Sequence, residues 1–368
     1  MTKIKEFVKN EIVLILSFIL AVISAFFVIP NKNYVDYIDF RTLGLLFCLM
    51  VVMAGFNNLG VFKFIAEKLL SKVKSINGLS LILGLLCFFS AMVITNDVAL
   101  ITFVPFTVTA LNLSGKSEKL IWIVTIETIA ANLGSMLTPI GNPQNLYLFS
   151  AFNMSIGDFI STLLPYALLS LLLIIISCIF TGKGKITTQN NNNNNVFSKL
   201  HIGLYSALFI IALLTVFRVI PCIATVLITL VIAFIFDRKV ILKVDYSLLF
   251  TFIFLFIFIG NLGEIEVISD FLKTIVNGNE VLVGIASSQV FSNVPATILL
   301  SKFTENAKDL LIGVNLGGLG TLIASMASLI SFKFIAKEQV NSGKYIVIFT
   351  IMNILFLALN MCLWLIIK

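Results

Sequence analysis

Asp97 stands where a carboxylate is costly to keep. Residues 90–105 read SAMVITNDVALITFVP, an apolar run with Thr95, Asn96 and Asp97 at its centre. An ionisable group in the middle of a lipid-crossing segment costs several kcal/mol unless it faces protein or water, so Asp97 is a candidate for carrying a cation or a proton. The Thr95 hydroxyl, the Asn96 amide and the free carbonyls of a bend would add neutral oxygen ligands of the kind that suit a small hard cation. The plainer alternative makes this stretch a loop and Asp97 a solvated helix cap ahead of Val98.

A second polar interruption has no acid. Residues 287–302 read SSQVFSNVPATILLSK, offering the Ser292 hydroxyl and the Asn293 amide. Pro295 suits the first turn of an outgoing helix, whose free N–H groups and positive dipole end favour an anion or an electron-rich solute. Each interruption is followed by a span that breaks. Residues 134–145 read GSMLTPIGNPQN, and Pro139, Gly141 and Asn142 lie among residues that free backbone groups, tolerable at depth only beside a cavity. Residues 317–328 read GGLGTLIASMAS, which breaks more gently or serves close helix packing. Glu127, about two turns into its span, is the other buried acid and could relay a proton or pair with a neighbouring Lys or hydroxyl. His201 opens a span at the surface, and Glu264 and Glu266 end one; these read as interfacial.

The elements that position these groups are membrane helices. The chain has 368 residues, 59% hydrophobic and 12% charged, with mean hydropathy +1.08. A soluble domain carries roughly twice that share of charge. Nine crossings are expected, at about 11–30, 41–59, 119–150, 158–181, 201–219, 221–236, 246–262, 308–335 and 343–367. Residues 78–113 and 280–304, with their polar centres, read as re-entrant helical hairpins instead. The first run lacks a small-residue cleavage site and reads as a span, not a signal peptide. Five cysteines, Cys48, Cys87, Cys178, Cys222 and Cys362, lie in apolar runs without metal-ligand spacing and read as small core residues. The net charge of +7 comes from basic residues flanking apolar runs, which points to membrane orientation and not to nucleic acid.

The chain repeats itself. Asn58-Leu59-Gly60 is matched by Asn261-Leu262-Gly263, Val93-x-x-Asn96 by Val290-x-x-Asn293, and Asn132-Leu133-Gly134-Ser135 by Asn315-Leu316-Gly317-Gly318, all in one order. An N-terminal repeat over 1–181 holds hairpin 78–113 and broken helix 119–150. An Asn-rich linker at 182–200 joins it to a C-terminal repeat over 201–368, with hairpin 280–304 and broken helix 308–335. An odd number of crossings between the copies inverts the second relative to the first. Of the 25 Lys and Arg residues, only Lys32, Arg41, Arg218, Lys273, Lys302, Lys308 and Lys368 fall on the side opposite the N-terminus. The positive-inside tendency then puts the N-terminus in the cytoplasm and the C-terminus outside, in a multi-pass protein of the cell (inner) membrane.

The pattern NLGSxLTPIGNPQNL at 132–146, the TND tip at 95–97 and the SNVP tip at 292–295 resemble the ion transporter superfamily, closest to its arsenite permease and sodium/proton antiporter branch. More distantly the chain resembles the divalent-anion/sodium symporters. That resemblance implies one cation site at Thr95, Asn96, Gly141 and Asn142 and another at Ser292, Asn293, Ala324 and Ser325, with Na+ at the hairpin tips. Asn96 and Asn293 would touch substrate. Together with the reading of the tips and the break, the candidate substrate contacts are Asn96, Asp97, Asn293, Pro295, Pro139 and Asn142. Asp97 joins the cation ligands, with Glu127 as the proton relay candidate. Asp97 and Val294 stand where the symporters' Ser-Asn-Thr tips carry their third-position threonines, which argues against dicarboxylate recognition.

The expected protein is thus an all-α polytopic membrane protein of two inverted repeats. It would be a secondary transporter for a small inorganic or organic anion or oxyanion, coupled to Na+ or H+. A sodium/proton antiporter of the same fold is the alternative. No enzymatic constellation, cofactor or nucleic-acid partner is expected beyond Na+, and by analogy the protein would form a homodimer in the lipid bilayer.

Overall fold

A computed structural model describes residues 11–70, 73–182, 184, 198–338 and 340–368. Most of the expected linker at 182–200, with Asn190 to Asn195, lies outside the described residues, as do Lys3, Lys5, Lys9, Lys72, Lys183 and Lys185. Every regular element among the described residues is helical.

The first half runs α1 (Ile12–Phe27), α2 (Asn33–Asp36), α3 (Phe40–Asn58), α4 (Val61–Leu70), α5 (Ile76–Ile94), α6 (Asn96–Leu113), α7 (Leu120–Ser135), α8 (Pro143–Ala151) and α9 (Ile156–Ile179). A helix without a partner in the first half, α10 (Lys199–Val216), follows. The second half runs α11 (Cys222–Phe236), α12 (Arg238–Ile241), α13 (Tyr246–Glu264), α14 (Glu266–Val276), α15 (Glu280–Phe291), α16 (Asn293–Ser301), α17 (Ala307–Leu316), α18 (Met326–Ile335) and α19 (Ser342–Ile367). The order of long, short, paired and broken helices is the same in both halves.

Local chemistry explains the starts and stops. Asp39 caps α3 through the Thr42 amide, and at the equivalent point Asp245 caps α13 through the Leu248 amide, both at 3.0 Å. Ser75 and Ser155 cap α5 and α9, and Asn306 and Asn341 cap α17 and α19. Pro143 occupies the first position of α8, where a missing N–H costs nothing, and Asn142 caps that helix at 2.9 Å.

Among the described residues, seven helices are long and apolar enough to cross a membrane: α3, α5, α6, α9, α10, α13 and α19. The expected spans at 11–30 and 221–236 are helices of 16 and 15 residues, nearer 24 and 23 Å than a full crossing. The hairpins are unequal. The first has arms of 19 and 18 residues, whereas the second has arms of 12 and 9. They run over 76–113 and 280–301, against the expected 78–113 and 280–304.

Two layers result. Helix α1 packs on α13, and α10 and α11 pack on α3, forming one layer. The other gathers the hairpins and broken helices: α5 and α6 against α7, α15 and α16 against α17, with α9, α18 and α19 closing round α7. Helix α9, with 24 residues about 36 Å long, spans this second layer. Asn77 at the base of the first hairpin donates to Ile179 O at the C-terminal end of α9, at 3.0 Å. Lys308, beside the base of the second, meets Asp158 at the N-terminal end, at 2.8 Å. The two hairpins therefore enter from opposite ends. Cys48, Cys87 and Cys178 are buried as expected of core residues, but Cys362 is exposed on the outer face of α19.

Candidate functional site

Both hairpins turn on a single hydroxyl residue in the same rare backbone conformation. Thr95 has φ 70° and ψ 152°, and Ser292 has φ 70° and ψ 154°. This region is almost confined to glycine, and a β-branched residue there costs on the order of 1–3 kcal/mol. The conformation lets the outgoing helices begin at once, so that Asn96 and Asn293 are their first residues.

The tips meet the breaks. The Asn96 amide nitrogen donates to Gly141 O at 3.3 Å, and its Nδ2 donates to Asn132 Oδ1 at 3.0 Å. Asn96 Oδ1 in turn accepts from the Asp97 amide at 3.0 Å. In the second tip Ser292 Oγ lies 3.5 Å from both Asn293 Oδ1 and Ala324 O. Freed carbonyls are satisfied across the hairpins: Thr138 Oγ1 donates to Met92 O at 2.5 Å, and Gln289 Nε2 donates to Gly317 O and Leu319 O at 2.9 and 2.8 Å. Such pairing is what makes a broken helix tolerable at depth.

The breaks also cross-bond. Asn142 Nδ2 donates to Asn315 Oδ1 at 3.3 Å, and Ser325 Oγ donates to Asn132 Oδ1 at 3.0 Å. Asn142 and Ser325 each follow their own half's Asn132 or Asn315 by the same interval, so the two bonds are counterparts across the pseudo-symmetry. Asn315 Nδ2 also donates to Asn145 Oδ1 at 2.7 Å, and Asn145 Nδ2 to three carbonyls of the first break.

Three cavities surround this knot. The smallest, about 10 Å³, has room for one water and is lined by Asn96, Asp97, Asn293 and Ser325 with Pro143 and Gln144. The largest, about 310 Å³, lies between α3, the first tip and the start of α8; Thr95, Asp97, Asn142 and Pro143 line it, with Asn57, Lys243 and Asp245. Asp97 Oδ1 is buried without a partner. Formal charges in this cavity are two carboxylates, Asp97 and Asp245, against one ammonium, Lys243, which bonds Asn58 Oδ1. A third cavity, about 290 Å³, lies between α2, α8, α13 and α16, with Tyr37, Tyr147 and Lys302 on its wall.

The structure thus brings Thr95, Asn96, Asp97, Gly141, Asn142, Ser292, Asn293, Ala324 and Ser325 to one junction. Pro139 and Pro295 are buried and shape the backbone, but line none of these three cavities. Glu127 lies apart from all three, buried and bonded to Thr107. The described residues hold no cluster of three or more His, Cys, Asp and Glu side chains, so the oxygens at the junction are mainly amide, hydroxyl and carbonyl. Sequence reasoning did not assign roles to Asn132, Asn315, Asn145, Gln289, Lys243 or Asp245. The first two stood at matched places in the internal repeat, in the middle of apolar spans, which was the available signal. Lys243 and Asp245 lie between two apolar runs, where charged residues carry no signal of a site.

The citrate transporter family, CitMHS, matches residues 3–330. Among curated relatives, a transporter of Methanocaldococcus jannaschii is 36% identical over 323 residues, covering 87% of this chain and 88% of its own. The inner membrane protein YbiR of Escherichia coli is 31% identical over 321 residues, 84% of each chain. A silicon efflux transporter of rice is 36% identical over 142 residues, 38% of this chain and 28% of its own.

Proposed function

We propose, because this chain belongs to the citrate transporter family CitMHS, that it is a secondary active transporter moving a small anion or oxyanion with Na+ or H+ by alternating access. It is a multi-pass membrane transporter by that membership; the solute, the coupling ion and the site are our reading. The observation that carries it is the meeting of the two strained tips, Thr95 and Ser292, at a junction where Asn96 and Asn293 line one small cavity. Amide groups can satisfy an oxyanion by N–H donation and a cation by C=O acceptance, so the same pair serves both passengers.

Charge supports coupling. With two carboxylates and one ammonium, the large cavity is formally net negative and repels an anion until one cation or proton enters. Thr95, Asn96, Asp97, Gly141 and Asn142 would hold that cation on one side, and Ser292, Asn293, Ala324 and Ser325 a second on the other. The cation here is cargo. The N-terminus is cytoplasmic in this reading, the C-terminus outside, and the membrane is the cell (inner) membrane, as for the inner membrane protein YbiR. The layer of α1, α3, α10, α11 and α13 would be the fixed support, and a homodimer would join through it.

Citrate, from the family's description, a soluble silicon oxyacid, after the rice silicon efflux transporter, and arsenite, from the resemblance to the arsenite permease branch, are the solutes to try. Purified protein in liposomes is loaded with each, with Na+ and pH gradients imposed separately. Uphill movement of one of them on either gradient is the expected result. Proton movement on adding Na+ with no anion present would instead establish the sodium/proton antiporter, and absence of all such movement would overturn the transport reading.

A further inference from the structure

Glu127 is the acid that the junction does not use. It is 0% exposed on α7; Thr107 of α6 donates to its Oε1, and its Oε2 is buried without a partner. None of the ion pairs among the described residues involves it. The titratable groups facing it are Cys87 from α5, Cys178 from α9 and Tyr345 from α19, none of which is a cation. The charged residue of α6, Asp97, lies at the tip, the lysine of α18, Lys333, is exposed, and Lys308 and Asp309 lie in the exposed first turn of α17. An ionised carboxylate with one hydrogen bond and no counter-charge is expensive in such a place, whereas the neutral acid is not.

A seam of buried hydroxyls leads from this point to the tips. The Tyr345 hydroxyl, also buried and unbonded, lies near both Glu127 and Thr128. Thr128 and Ser331 hydroxyls are 2.6 Å apart; Ser331 and Ser328 follow one another at helical spacing along α18, and Ser325, three residues further on, stands at the N-cap position of that helix. Ser328 Oγ is a further buried atom without a partner, and Ser325 ends the seam on Asn132, which holds Asn96. Two unpaired buried hydroxyls, Tyr345 and Ser328, flanking the bonded Thr128–Ser331 pair between a buried acid and a solute junction are costly as mere packing.

We propose that Glu127 is a proton-carrying site of the transport unit, held as the neutral acid in this conformation and exchanging its proton along the Tyr345–Thr128–Ser331–Ser328 seam. The coupling ion then includes H+, and Asp97 is left to the cation at the cavity. This rests on the transporter reading for its purpose, not for its chemistry.

The test is infrared difference spectroscopy of the purified full-length protein on a pH jump, comparing wild type with Glu127→Gln, Asp97→Asn and Thr107→Val. A buried carboxylic-acid carbonyl band at neutral pH, missing in Glu127→Gln, kept in Asp97→Asn and shifted in Thr107→Val, is expected. A wild-type spectrum without such a band, or a band that Thr107→Val leaves unmoved, overturns the proposal even if Glu127→Gln does not fold. In liposomes with citrate, Glu127→Gln should keep citrate–citrate exchange and lose accumulation on a pH gradient, about tenfold per pH unit for one proton per solute. Undiminished pH-driven accumulation would refute the assignment. If wild type moves no citrate, the choice of citrate has failed, and the infrared result still decides Glu127.

Discussion

Ser325 donates its hydroxyl hydrogen to Asn132 Oδ1 at 3.0 Å, tying the break of the second half to the broken helix of the first. The same oxygen accepts from Asn96 Nδ2, so one amide carbonyl holds a hairpin tip and the opposite repeat together. Because Asn142 does the equivalent to Asn315, the junction is closed from both halves at once.

Replacing Asn132 by Ala should therefore remove more than a side chain. It strands the Asn96 amide and the Ser325 hydroxyl in a buried place, at a cost of about 1–3 kcal/mol for each group left unbonded. Thermal unfolding of Asn132→Ala is expected well below that of wild type, with Ser325→Ala intermediate. Equal melting of all three proteins would mean the bonds do not hold the junction.

Asp97→Asn keeps the shape of the tip and removes its charge. Uptake driven by a Na+ gradient is expected to fall by about tenfold or more, the factor that 1.4 kcal/mol of lost coupling gives. Exchange of solute for solute should survive. Full gradient-driven uptake in liposomes would take the coupling role away from Asp97.

The backbone at Thr95 gives a prediction of opposite sign. Glycine adopts φ 70°, ψ 152° without the Cβ penalty, so Thr95→Gly relieves on the order of 1–3 kcal/mol of strain, less the entropy glycine loses on folding. Thr95→Gly should melt no lower than wild type while transporting more slowly, and Thr95→Val should melt lower than both. A large fall in melting temperature for the glycine variant would show that the hydroxyl outweighs the strain.

Gly134 marks the closest approach of α7 to the first hairpin. A Cβ there would lie 2.7 Å from Phe88 Cα, and backbone cannot turn aside as a side chain can. Gly134→Ala is expected to cost about 1–3 kcal/mol or more through overpacking. Circular dichroism melts of the two proteins check this, and an unchanged melt would place the helices further apart.

Two large cavities on different flanks of the junction predict opposite access. With the five cysteines replaced, single cysteines at Asn57 and Ala151 should react with an impermeant thiol reagent from opposite faces of the membrane, Asn57 from the cytoplasm. Labelling of both from one face would contradict the inverted arrangement.

What the sequence alone determined is periodic or compositional. Apolar runs set the helices, polar interruptions such as Thr95-Asn96-Asp97 and Ser292-Asn293 set the turns, and the echo between halves set their pairing, because lipid allows no unpaired backbone and so makes every interruption conspicuous. Proline and glycine at 139, 141 and 143 likewise announce a break, since they remove a donor or a preference that a helix needs.

Only the tertiary structure decided which interruptions meet. That Asn132 holds both Asn96 and Ser325, that Lys243 and Asp245 reach the cavity of Asp97, and that Pro139 and Pro295 line none of the three cavities depend on residues far apart in the chain. Helical spacing places a side chain on a face but carries no information about which helix covers that face. That is settled by close packing, at points such as Gly134 against Phe88, where the absence of one methyl group lets two helices touch.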